Sequence, residues 1–333
     1  MLERRLGTTD LRVSALGLGC NNFGIRTDRA EAREIVAAAL DAGISFFDTA
    51  DVYGQRGGSE TILGEALGAR RKDIVLVSKF GVAMDDEGKL KGGSARYVAS
   101  AIEASLKRLR TDWIDLYYYH RPDPATPLEE TMRALEKLIA QGKVRYIGCS
   151  NMTAAQIAEA HRLARDNGLH PFIVAQDQYN LLSRGIEAEL IPAIEAHRLS
   201  LIPYFPLASG MLTGKYRADA PVPPGSRMSY QRYSDRFYND ENFRVVERLR
   251  AFSVQRGRSL TELAFGWLLS KPVVGCVIAG ASTPAQIHQN AAAIGWQLNA
   301  ADMAEVNRLS SKQGEPEAVA AETGSRPPLK ASQ

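Results

Sequence analysis

Short apolar runs alternate with amphipathic segments along nearly the whole chain. The runs are SALGLG (14–19), ISFF (44–47), DIVLVS (73–78), WIDLYYY (113–119), VRYIGC (144–149), FIVAQ (172–176), LIPYF (201–205) and VVGCVI (273–278). Their Val, Ile, Leu and aromatic content is near-continuous rather than alternating, as in strands covered on both faces. Eight such strands with helices between them predict parallel pairing and an α/β fold.

The segments between the runs carry helix signals. Thr126-Pro127-Leu128-Glu129 reads as a capping box with proline at the first helical position, followed by an apolar face of Leu128, Leu135, Leu138 and Ile139. Thr153 with Gln156 and Ser259 with Glu262 repeat the device. Gly43, Gly142 and Gly168 stand where left-handed helix ends are expected, each just before a strand. Two stretches break the rhythm. Residues 2–13 read as a short hairpin turning at Gly7 to Asp10, ahead of the first barrel strand. Residues 215–240, rich in Pro, Gly, Tyr and Arg, form a long loop after the seventh strand and a candidate lid. Residues 1–310 are expected to form one domain, and 311–333, polar and Pro-containing, a flexible C-terminal tail.

At 333 residues and 45% hydrophobic content, the chain is long enough for one large core, within the range of a single α/β barrel. Its 41 basic and 38 acidic residues are dispersed, for a net charge of +3. Nucleic acid and anionic membrane are therefore poor partners. No run is long and apolar enough to span a bilayer, the first residues lack a signal-peptide core, and a cytoplasmic location is expected. Three scattered cysteines, Cys20, Cys149 and Cys276, suit buried hydrophobes rather than disulfides or zinc; all three lie within or at the end of a predicted strand, so one of them could approach a bound ligand. The five histidines include no metal-type pair, and no metal is expected.

Candidate chemistry gathers just past successive apolar runs: Asp48 and Tyr53 in FFDTADVYG, Lys79 in IVLVSKFG, and His120 in IDLYYYHRPD. The C-terminal strand ends are where barrels and open α/β sheets assemble their active sites. Taken singly, Asp48 suits a turn cap, Tyr53 packing, Lys79 a solvated loop and His120 a structural role. Together they suit carbonyl reduction, in which charge develops on oxygen and an acid must donate a proton near neutral pH. Tyr53 serves if its pKa falls from about 10, and a neighbouring Lys79 ammonium is expected to lower it. Asp48 would keep Lys79 charged and placed, and His120 would donate a hydrogen bond to the substrate oxygen or relay a proton.

With these motifs in order, followed by KVRYIGCSN (143–151) and YFPLASGMLTGKY (204–216), the chain closely resembles the aldo-keto reductases over residues 2 to about 310. It is also similar to the potassium-channel beta subunits within that family. The resemblance implies a (β/α)8 TIM barrel, a nicotinamide cofactor bound extended without a Rossmann domain, and the tetrad Asp48, Tyr53, Lys79 and His120. GLG at 17–19 is too short for a dinucleotide fingerprint, which agrees.

The resemblance also implies the cofactor contacts. Ser150, Asn151 and Gln176 would bind the nicotinamide carboxamide and Tyr204 would stack on the ring. Leu207, Ser209, Gly210 and Leu212 would fold over the pyrophosphate, with Lys215 and Arg227 as basic contacts. Gly280, Ser282, Thr283, Gln286, Gln289 and Asn290 would surround the adenosine 2'-phosphate and adenine. Some members carry Lys and Arg where this chain has Gly280 and Gln286, and many carry an acid at Gln289; this chain resembles the other branch, with a GAS turn and glutamine, which also commonly uses NADP, and so NADP is expected ahead of NAD.

Pocket walls are expected from Asn22, Phe23, Val52, Phe80 and Tyr119, with Tyr230, Tyr233, Phe237 and Tyr238 in the lid. These suit an apolar or aromatic carbonyl compound, while Arg227, Arg232 and Arg236 suit an acidic one. The expected function is NADPH-dependent reduction of an aldehyde or ketone. The alternatives are a cofactor-binding regulatory subunit and a dehydrogenase running in the alcohol-oxidising direction.

Overall fold

The structure, a computed structural model, describes residues 1–311. The chain opens with the expected hairpin, β1 (Glu3–Arg5) paired antiparallel with β2 (Arg12–Ser14). Eight parallel strands follow: β3 (Leu16–Gly19), β4 (Phe46–Asp48), β5 (Val75–Phe80), β6 (Ile114–Tyr119), β7 (Val144–Ser150), β8 (Val174–Gln178), β9 (Ser200–Tyr204) and β10 (Val277–Ala279). Each pairs with the next in chain order, and β10 returns to pair with β3. Between β9 and β10 a parallel bridge, Leu201 to Val274, nearly completes the circle. The result is a (β/α)8 barrel, and all eight apolar runs contribute a strand.

The barrel is filled by alternate residues, because successive strand side chains point to opposite faces. Phe46, Val75, Val77, Leu116, Tyr118, Val174, Ile202, Cys276 and Ile278 form the inner cluster, into which the hairpin inserts Leu6 and Val13. The intervening residues, among them Phe47, Leu76, Phe80, Tyr117, Tyr119, Cys149 and Ala175, pack outward against the helices. The hairpin sits at the strand starts: Arg4 donates to the carbonyl of Val274, and Gly7 N–H donates to Ser200 Oγ at 2.9 Å. It closes the end of the barrel opposite the candidate chemistry.

The connecting helices are α1 (Arg29–Asp41), α2 (Tyr53–Leu67), α3 (Ala95–Leu109), α4 (Leu128–Ala140), α5 (Ala154–Asn167) and α6 (Leu190–Ala196). After β9 come α7 (Gln231–Phe237), α8 (Asp240–Gln255) and α9 (Leu260–Leu269), and after β10 come α10 (Pro284–Ala292) and α11 (Ala300–Ser310). The boxes at Thr153 and Ser259 form, and Gly43, Gly142 and Gly168 all take positive φ. The box at Thr126 does not. Its hydroxyl donates to Asp123 at 2.8 Å in a tight turn, leaving Pro127 as an N-cap without a side-chain bond.

The long stretch after β9 is more regular than its composition suggests. A helical turn at Arg227–Ser229 and helix α7 occupy part of it. Tyr233 and Phe237, one turn apart, both pack edge-on to Phe205, which gives the segment an apolar anchor. Of the expected tail, everything from residue 312 onward lies outside the described residues. Among the described residues no helix is long and apolar enough to cross a membrane.

Candidate active site

The inward register of the strands continues past their ends, and there it turns polar. Phe46 is followed two residues on by Asp48, Val77 by Lys79, Tyr118 by His120, Val174 by Gln176 and Ile202 by Tyr204. These polar residues all lie at the C-terminal mouth of the barrel. Lys79, fully buried, donates to Asp48 Oδ1 and, at 2.8 Å, to the carbonyl of Thr49. Its ammonium lies 4.9 Å from the centre of the Tyr53 ring. His120 meets that ring edge-on, centroids 5.7 Å apart at 87°.

Burial pushes the Tyr53 phenol above its ordinary pKa, and the Lys79 cation pulls it back only in part. The expected fall below 10 is therefore not met: burial, joined by the charge of Asp48, outweighs the ammonium, and the phenol is protonated at neutral pH. Burial acts against the Lys79 cation, but Asp48 and then Tyr53 more than compensate and hold it above its usual range. His120 is driven well below its ordinary value by burial, then by Lys79 and Arg121. Its imidazole is neutral, with Nδ1 buried and lacking a hydrogen-bond partner among the described residues.

A second polar layer braces the first. Gln176 donates through Nε2 to Asp48 Oδ2 at 2.9 Å, so both carboxylate oxygens are held. Asn151, in the left-handed region at φ 56°, donates to the carbonyl of His120 at 3.0 Å and accepts from the Tyr204 hydroxyl at 2.9 Å. Ser150 donates to the carbonyl of Gln176 at 2.8 Å. Behind Asn151, burial pushes the Asp177 carboxyl up to about 8.

A cleft of about 1230 Å³ opens over these residues. Its lining includes Asp48, Tyr53 and His120, while Lys79 lies beneath the surface. Ser150, Asn151, Gln176, Tyr204, Leu207, Ser209, Gly210, Lys215, Arg227, Gly280, Ser282, Gln286, Gln289 and Asn290 all face it. Leu212 is buried outside the lining, and Thr283 instead caps α10 through its hydroxyl. Gln286 accepts from the Ser282 N–H at 2.8 Å rather than completing the box with Thr283.

Of the expected pocket walls only Asn22 lines the cleft. Phe80 and Tyr119 fall on the outward parity of their strands and stack on each other, centroids 5.2 Å apart. Phe23 is fully buried, and Val52 lies beside Tyr53 without reaching the lining. Arg121, Arg26, Asn21, Phe205 and Glu262 line the cleft although their chemistry was not singled out. Arg121 was readable, since it directly follows His120; Arg26 and Glu262 come from loops and helix starts that carry no strand register.

The cleft is large enough to hold a dinucleotide-sized cofactor. Phe205, Ala208, Ser209 and Gly210 all take positive φ, folding the backbone after β9 over the cavity. A Cβ on Gly210, at φ 99°, would stand 3.0 Å from the Lys215 side chain. Ser209 lines the cleft, and its buried hydroxyl has no hydrogen-bond partner among the described residues, a spare polar group that suits a ligand oxygen. Among the described residues no group of three or more His, Cys, Asp or Glu side chains could hold a metal ion.

A model of the Aldo/keto reductase family matches residues 15–311. The chain is 40% identical over 305 residues to a probable voltage-gated potassium channel subunit beta of Oryza sativa subsp. japonica, covering 88% of this chain and 91% of that protein. A protein of the same description from Arabidopsis thaliana is 39% identical over 305 residues, with the same coverage. The probable aldo-keto reductase 1 of Glycine max is 34% identical over 308 residues, covering 91% of this chain and 87% of that protein.

Proposed function

The chain belongs to the aldo/keto reductase family, and from that premise we propose that it reduces an aldehyde or ketone to an alcohol with NADPH, using Tyr53 as general acid. The observation that carries this reading is the arrangement beneath the phenol. Lys79, fixed by Asp48 and the Thr49 carbonyl, lies 4.9 Å from the Tyr53 ring in a wall of the cleft.

A nicotinamide cofactor, when bound, supplies the hydride that reduces the carbonyl carbon. The protein's part is the proton and the placement. Tyr53, protonated in the resting site, gives its phenolic proton to the carbonyl oxygen as negative charge builds there; Lys79, whose cation already draws the phenol's pKa part of the way back down, steadies the phenolate that remains. Asp48 keeps Lys79 charged in a site where an unpaired ammonium would be costly. The neutral His120 donates one N–H to the same oxygen and so fixes the carbonyl's orientation. In the alcohol-oxidising direction the same groups act in reverse.

Ser150, Asn151, Gln176 and Tyr204 would hold the nicotinamide, Leu207, Ser209, Gly210, Leu212 and Lys215 the pyrophosphate, and Gly280, Ser282, Thr283, Gln286, Gln289 and Asn290 the adenosine end. NADP ahead of NAD is supported by Arg227, whose guanidinium lies 3.6 Å from where a Cβ on Gly280 would stand. We read residues 1–310 as one barrel domain working in the cytoplasm. The three cysteines, all buried and free, agree with a reducing compartment.

The two similar proteins described as potassium channel beta subunits favour a second reading, a cofactor-binding regulatory subunit with weak reductase activity. One experiment separates them: purified protein is mixed with NADPH or NADH and a panel of aldehydes, and cofactor absorbance is followed. Sustained turnover with NADPH supports the reductase. A single slow turnover with the cofactor retained supports the regulatory subunit, and no oxidation of NADPH on any aldehyde rejects the first reading.

A further inference from the structure

The cleft carries more positive charge than a dinucleotide's phosphates account for. Arg26, Arg121, Lys215, Arg227 and Arg236 line it, against Asp48 and Glu262. Both acids are already paired, Asp48 with Lys79 and Glu262 with Arg258. Lys215 stands by Gly210 and Arg227 by Gly280, on the side assigned above to the cofactor. Arg26 donates to the Gly225 carbonyl at 2.7 Å and covers the Tyr230 ring.

Arg121 and Arg236 are left over. In the strand order β10-β3-β4-β5-β6-β7-β8-β9, the end of β6, which bears His120 and Arg121, lies four strands from β10, directly across the barrel mouth from the Gly280 segment. Arg121 is exposed and makes no hydrogen bond or ion pair among the described residues. Arg236, on α7, lies 5.7 Å from the Phe205 ring and 5.6 Å from that of Phe237, likewise without an acidic partner among the described residues. The positive charge of each reaches the Tyr204 phenol in the floor of the cleft. Two unneutralised guanidiniums thus flank the reacting end of the cleft, where the rigid fork of arginine suits an oxyanion.

We propose that the physiological substrate is an anionic carbonyl compound, its carboxylate or phosphate held by Arg121 and Arg236 while its carbonyl faces Tyr53 and His120. The proposal rests on the reductase reading and deepens it by naming the substrate class. A neutral aldehyde enters the same cleft without neutralising either arginine, so it binds more weakly.

The test compares matched pairs on the full chain with NADPH: para-carboxybenzaldehyde against its methyl ester, and glyceraldehyde phosphate against glyceraldehyde. The expected result is a kcat/KM at least roughly tenfold higher for the anionic member of one pair, carried by KM and shrinking as salt is raised. The pair with the larger ratio identifies carboxylate or phosphate. Arg121→Gln and Arg236→Gln are each expected to reduce that ratio severalfold. A wild-type ratio near one in both pairs, or a ratio that neither variant moves, overturns the proposal while leaving the reductase reading intact. No turnover of any of the four compounds overturns the reductase reading, and the substrate class with it.

Discussion

Gln176 donates its side-chain amide to Asp48 at 2.9 Å, on the carboxylate oxygen opposite the one that holds Lys79. A residue expected only to meet the cofactor thus also braces the carboxylate on which the tetrad depends. Gln176→Ala should lower kcat about tenfold as well as weaken NADPH binding, because Asp48 loses one of its two supports. Ser150→Ala, which touches the Gln176 carbonyl but not Asp48, should weaken NADPH binding with kcat nearly unchanged. Steady-state kinetics on both variants distinguish the two outcomes.

The Asp48 and Lys79 charges are buried together and should be separable in stability from catalysis. Lys79→Met leaves an unpaired carboxylate in the core and should cost about 3 kcal/mol of stability. Adding Asp48→Asn removes that charge and should restore most of the loss in urea unfolding. Reductase activity should stay absent in both variants. Recovery of activity in the double variant would mean that Lys79 has no part in proton donation.

His120 is held neutral well above its lowered pKa, so its protonation does not change across the neutral range. The pH profile of kcat/KM should show no inflection from His120 between about pH 6 and 8. His120→Gln keeps an N–H donor and should lose about tenfold, whereas His120→Leu should lose roughly a hundredfold. A proton relay through the imidazole would instead make the two variants equally inactive.

Asp177 supplies a pH-dependent stability unconnected with turnover. Its folded pKa of about 8 lies above the ordinary carboxyl value of 3.8 because of burial. A raised folded pKa means that its contribution is complete below about pH 4 and is lost as pH rises through about 8. Asp177→Asn should therefore stabilise the protein increasingly over that window, by up to about 1.4 kcal/mol per pH unit. Urea unfolding of both proteins at about pH 6 and 8 measures the slope, and parallel curves would refute the assignment.

Much of the site was legible because strand parity runs unbroken into it. Once Phe46, Val77 and Tyr118 are recognised as inward-facing, the same alternation aims Asp48, Lys79 and His120 into the mouth. That parity also explains the misplaced pocket walls: Phe80 and Tyr119 are one residue out of phase, and their hydrophobicity belongs to the layer under the helices. Thr126 was misread because a nearby Asp123 competes for its hydroxyl, a contest that the local pattern does not record. Helix α7 was hidden by its many polar residues. Its anchor, Phe205, is distant in sequence, and such tertiary contacts decide short helices.

Single-turnover reduction by wild-type and Tyr53→Phe protein, each preloaded with NADPH, tests the proposed chemistry most directly. The substitution removes only the phenolic hydroxyl and leaves the ring that packs against His120 and Lys79. NADPH affinity should stay within about twofold while the rate of aldehyde reduction falls by at least about a hundredfold, the share of a general acid. A Tyr53→Phe protein that reduces aldehyde at close to the wild-type rate would contradict the account.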